Sequence, residues 1–87
     1  MKNIIKKYVV VSMDAPESIF VKGFVGISAG HLADITTTLA NALKFNTKEA
    51  AQAAKTLADM SENDNDEGWG VCSVIYVGGS WKIDELI

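Results

Sequence analysis

Seven carboxylates stand in residues 56–87, Asp59, Glu62, Asp64, Asp66, Glu67, Asp84 and Glu85, against a single lysine, Lys82. Crowded acids can do three kinds of chemistry: hold a cation, work as an acid–base pair, or present a negative surface. A calcium loop of the helix–loop–helix type needs Asp-x-[Asp/Asn]-x-[Asp/Asn]-Gly with a glutamate at the twelfth position. Counted from Asn63, the pattern runs through Asn65, Glu67 and Gly68, but its twelfth position is Val74. Counted from Asp64, Gly68 falls where a ligand belongs. The run fails as a calcium loop, and no metal and no cofactor is expected. Acid–base work needs a carboxyl whose pKa is raised by burial or by a like charge. The pairs Asp64–Asp66 and Asp84–Glu85 have polar neighbours that predict no such shift. What remains is a surface.

The rest of the chain carries the opposite sign. Residues 1–55 hold seven lysines against Asp14, Glu17, Asp34 and Glu49, so a balance of +3 is followed by one of −6. A dipolar distribution of this kind steers association with a basic partner. It does not suit a nucleic-acid reader, which needs positive charge along the phosphates and favours arginine for guanine edges. The net charge is −3 and there is no arginine. His31 is the one histidine, beside Gly30 in a stretch read as the loop 28–31. Catalysis would need a nucleophile or an orienting acid within about 3 Å of it, and Ser28 and Asp34, each three residues away, are weak candidates. Cys72 lies among apolar residues, where a buried, inert thiol is expected. One histidine and one cysteine do not make a zinc site.

These residues need a scaffold. With 48% hydrophobic and 22% charged residues, the 87-residue chain reads as one globular domain. Lys6–Met13 is a β-branched strand closed by Asp14-Ala15-Pro16-Glu17, where proline fixes φ and seeds a turn. Ser18–Ser28 resumes extended structure, so the first two strands form a hairpin. Gly23 and Gly26 within it match no phosphate-cradling pattern and mark a bulge or bend. Residues 31–44 carry both a helical spacing and the β-branched run Ile35-Thr36-Thr37-Thr38; a strand over Asp34–Leu39 and a turn through Ala40–Ala42 are favoured.

Phe45-Asn46-Thr47-Lys48-Glu49 opens a helix over 47–61. Asn46 with Glu49 makes a capping box, and Thr47 caps equally well. Its stripe is read as Ala50, Ala54, Leu57, Ala58 and Ser61, with Phe45 wedged under the first turn and Lys48, Gln52, Lys55 and Asp59 facing out. Trp69–Val77 is the strongest strand, and Gly78-Gly79 returns the chain through Ser80–Asp84 as a second hairpin. The fold class is therefore α+β: an antiparallel sheet of four to five strands with one main helix packed on one face. Two hairpins leave open strand edges, so a monomer or a symmetric homodimer is expected, with the dimer slightly favoured. The opening residues put lysines inside any would-be apolar leader, and no stretch approaches 18 apolar residues, so a cytoplasmic protein that neither enters nor spans a membrane is expected.

The run Ala42–Lys55, A-L-K-F-N-T-K-E-A-A-Q-A-A-K, together with the K-K-Y-V-V-V opening and the G-W-G-V-C-S-V-I-Y-V strand, resembles a pattern in small phage and prophage accessory proteins. The resemblance covers about half the chain and implies a mobile-element origin, in which inhibition of a host or defence protein, of the anti-CRISPR kind, is a frequent role. It carries over no functional residue. Two functions follow as expectations. One is a non-enzymatic binding protein acting through the acidic residues Asp59, Glu62, Asp64, Asp66, Glu67, Asp84 and Glu85. The other is a small enzyme or ligand-binding domain using His31 and nearby loop residues.

Overall fold

Three consecutive valines, Val9, Val10 and Val11, have no exposed surface at all. Successive residues of a strand point to opposite faces, so a run buried on both sides needs cover above and below. That strand is β1, Ile5–Ser12, and it is the middle of one five-stranded antiparallel sheet. The computed structural model describes residues 4–27, 30–60 and 68–87, and the side chains of 24–27 and 30–33 fall outside that description. The remaining elements are β2 (Phe20–Ile27), β3 (Gly30–Thr36), a 3₁₀ turn (Leu39–Asn41), α1 (Lys48–Asp59), β4 (Trp69–Val77) and β5 (Ser80–Leu86). The strand order is β3-β2-β1-β4-β5, so a meander of β1, β2 and β3 is joined to the β4–β5 hairpin by the pairing of β1 with β4. The expected α+β architecture is the observed one.

Register assigns the faces. Val9 lies opposite Cys72, Val10 opposite Val71 and Ser12 opposite Trp69. One face gathers Val10, Val21 and Trp69 beneath Ala54 and Ala58 of α1, with Ile19 and Phe45 packed alongside. The other gathers Val9, Val11, Phe20, Cys72 and Val74 beneath Ala42, with Met13, Leu39, Trp81 and Ile83 around them. The sequence reading placed cover on one face only; the strap 38–44 covers the second.

Phe45 holds the edge of that strap in an unexpected way. Its N–H and C=O exchange hydrogen bonds with Tyr8, at 2.8 and 2.9 Å, and the Leu43 N–H donates to the Val21 carbonyl at 3.0 Å. The short extended segment 43–45 thus sits between β1 and β2. Those two strands share a register pair only at Val11 and Phe20, and beyond Val21 β2 pairs only with β3. A register shift between Val21 and Gly23 marks the departure, the bulge that the glycines foretold.

The strands β1, β2 and β5 begin or end one or two residues from the sequence reading, and the helix and β3 differ more. The helix runs over Lys48–Asp59 rather than 47–61: Thr47 is its cap, its side chain accepting from the Ala50 N–H at 3.1 Å, and residue 61 lies outside the described residues. Its buried residues are Ala51, Ala54 and Ala58, whereas Ala50 is exposed. Four alanines at 50, 51, 53 and 54 offer no volume contrast from which the phase could be read. The strand expected at Asp34–Leu39 is β3, Gly30–Thr36, so His31 belongs to a strand and not to a loop; its backbone lies opposite Gly26. Pairing with β2 extends the β-branched run backwards and outweighs the helical spacing.

Candidate functional site: the acidic residues of α1 and β5

Asp59 is the last residue of α1. Its Oδ1 accepts from the backbone N–H of Trp69 at 2.9 Å and its Oδ2 from Lys55 Nζ at 2.7 Å. The carboxylate therefore ties the end of the helix to the start of β4. Gly68, at φ +80°, makes the approach possible: a Cβ there would lie 3.3 Å from Asp59 Oδ1, in a backbone conformation that side chains rarely adopt.

Asp84 owes its position to a bulge. The β4–β5 register runs from Val74 opposite Ile83 to Ser73 opposite Glu85, which leaves Asp84 as the extra residue. Ser73 Oγ, fully buried, donates to Asp84 Oδ2 at 3.1 Å, and Lys6 Nζ lies 3.6 Å from the same oxygen. Glu85, opposite Ser73, shares that side of the sheet by register, and it is exposed. The bulge thus turns two adjacent carboxylates toward one face of an edge strand, the face that α1 covers further along.

Of the seven expected partner-binding acids, the structure positions three. Glu62, Asp64, Asp66 and Glu67 lie outside the described residues. Asp59 and the Asp84–Glu85 pair are reached from Trp69 and Ser73, four residues apart on β4, about 13 Å at the usual strand rise. They share a face without forming one cluster. Two of the three already hold an ammonium and a hydrogen-bond donor of their own chain, so Glu85 is the most available to a partner. Among the described residues, no three His, Cys, Asp or Glu side chains gather as a metal site. No helix among them is long and apolar enough to cross a membrane.

Cys72 is buried, as expected, and burial pushes its thiol above the ordinary value. It forms part of the floor of an open cleft of about 450 Å³ between the turn at Ala15–Ser18 and β5, where Pro16, Glu17, Ile83 and Leu86 also contribute. A raised thiol without a cationic neighbour is a poor nucleophile.

Sequence reasoning missed Lys44. Its Nζ donates to three backbone carbonyls, Leu39 at 2.8 Å, Ala42 at 3.0 Å and Ala40 at 3.1 Å, and lies 5.1 Å from the centre of the Trp81 ring. Trp81 in turn stands edge-on to Tyr76, ring centres 5.2 Å apart. Burial lowers the Lys44 pKa. Backbone carbonyls carry no residue identity, so no sequence signal marks their convergence. Compared with family models, curated proteins and solved structures, the chain matches none.

Proposed function

We propose that the chain is a small, non-enzymatic protein-binding module that engages a basic surface through its acidic side. On the resemblance of its central run, we take it to be an inhibitor from a mobile element, acting in the host cytoplasm on a host or defence protein. The observation that carries the binding reading is the β5 bulge, which turns Asp84 and Glu85 together to one side of an edge strand. The charge balance of −6 in residues 56–87 gives that presentation its sign. A second copy would pair at β3 rather than β5, since a bulge and the charges of Lys82, Asp84 and Glu85 protect the β5 edge.

The test compares wild type, Glu85→Lys and Asp64→Lys/Asp66→Lys for binding to a partner captured from host lysate, identified, and then purified. A steering patch makes binding salt-sensitive. Each variant should weaken binding by roughly tenfold at low salt and by less at moderate salt, because charge pairs at such sites each contribute about a kcal/mol. Equal binding by all three proteins at both salts sinks the acidic-surface reading, and light scattering on the same samples gives the mass of the free chain.

A further inference from the structure

We propose that residues 38–44 form a strap that opens as a local unit, independently of the sheet, and that the Lys44 ammonium is the pin that keeps it shut. The strap crosses the face of the sheet opposite α1, over Val9, Val11, Phe20, Cys72 and Val74. Its own grip on that face is slight. Ala42 is its one buried side chain, Leu39 is half-buried, and Ala40, Asn41 and Leu43 are exposed. Its backbone is tied to the sheet by the bond from Leu43 N–H to the Val21 carbonyl and, at its start, by the Thr38 N–H on Thr36 Oγ1 at 3.2 Å; its internal backbone bonds are Asn41 N–H to Thr38 and Ala42 N–H to Leu39, each 3.1 Å. A segment with few buried apolar contacts and exposed backbone bonds sits at the low end of a protein's local stability.

Lys44 compensates for that weakness from within. An ammonium has three protons, and here three carbonyls of the strap receive them. Two of those carbonyls, Ala40 and Ala42, accept no backbone bond within the turn, and the Leu39 carbonyl also takes the Ala42 N–H. The Trp81 ring supplies a further attraction from β5. One charge therefore caps the turn and fastens it to the sheet at once. Among the described residues, no carboxylate takes part. By register this face carries Val74 and Tyr76 from β4, Trp81 and Ile83 from β5, and Ile5 and Lys7 from β1. Lys7, the other ammonium, donates to Asn46 Oδ1. On β3 the register adds Thr36 and Asp34 to this face, so the titratable groups on the strap's side of the sheet in these strands are Lys7, Tyr76, Cys72 and Asp34. When the strap lifts, the apolar face beneath it, Val9, Val11, Phe20 and Val74, becomes accessible.

Hydrogen exchange and thiol labelling test the device together. In Lys44→Met, which keeps the apolar stem, the amides of Asn41, Ala42 and Leu43 should exchange on the order of tenfold faster than in wild type, the effect of losing hydrogen bonds to a charged group. The β4 amides of Cys72 and Val74 should keep their rates, and so should labelling of Cys72 by an uncharged thiol reagent at neutral pH, because the cleft beside β5 leads to that thiol without the strap. Unchanged strap amides would remove Lys44 as the pin. Strap and β4 amides accelerating together would show global rather than local opening and overturn the unit. Should Lys44→Met fail to fold, wild type decides: strap amides opening at markedly lower cost than β4 amides support the strap, and equal protection overturns it.

Discussion

The two faces of this sheet are covered by different means. Over one lies α1, twelve residues of regular helix whose alanines repeat along the stripe Ala51, Ala54 and Ala58. Over the other lies an irregular strap with a three-residue turn, Leu39–Asn41, held by one lysine. The helix satisfies its own backbone and spreads its adhesion over many small contacts. The strap converges three of its carbonyls on one ammonium, so its adhesion concentrates at one point. Damage should therefore propagate differently on the two sides: through burial on the helix side and through polar bonds elsewhere.

The largest effect belongs to the helix face. Ala54→Asp would bury an unpaired charge against Val10, Val21 and Trp69, at a cost of several kcal/mol. Thermal melting should show the chain largely unfolded, and an unchanged Tm would mean that α1 does not dock there. A smaller effect follows from releasing the end of the same helix. Asp59→Ala removes the acceptor for the Trp69 N–H and the partner of Lys55, and should cost about 1–2 kcal/mol in urea unfolding. A loss no greater than an exposed substitution produces would show that water replaces the carboxylate fully.

The smallest effect lies beneath the strap and appears only with pH. Burial raises the Cys72 thiol above 9.0 in the folded chain, so the folded state keeps a proton that the unfolded chain has released. That contribution is complete below about pH 9 and is lost as pH rises through the folded value. Lys44 acts in the opposite sense: its folded pKa is below 10.5, so the unfolded chain binds more protons there, and this share of stability grows with pH toward 10.5. Stability of wild type from pH 8 to 10, set against Cys72→Ala, should show a shallower alkaline decline in the variant. Parallel curves would place the thiol in solvent.

Much of the helix face was legible from the sequence, and little of the other. Thr47 announced the helix start because capping uses a side chain visible in the sequence. The alternation in Trp69–Val77 and the Gly78-Gly79 pair announced the second hairpin, and both glycines do adopt positive φ, +64° and +84°. The alanine run hid its own phase for want of volume contrast. Segment 38–44 hid its role because Lys44 finds backbone carbonyls, which any residue could provide. Among the acids, Asp59 and Asp84 were read as free surface, yet each holds partners distant in sequence: Trp69 lies ten residues beyond Asp59, and Lys6 pairs across the sheet with Asp84. Charge counting registers the carboxylates and misses what the fold already asks of them.

The strand order has a kinetic consequence. The β1–β2–β3 meander and the β4–β5 hairpin each join strands that follow one another in the chain, but neither contains a finished core, because the central seam sets Val9 against Cys72, sixty-three residues later. Closing that distance costs chain entropy before any burial returns it. The seam is also where Val9, Val10 and Val11 become buried on both faces. The seam is therefore the part of the sheet whose formation depends most on long-range closure, and the part that buries the most once closed.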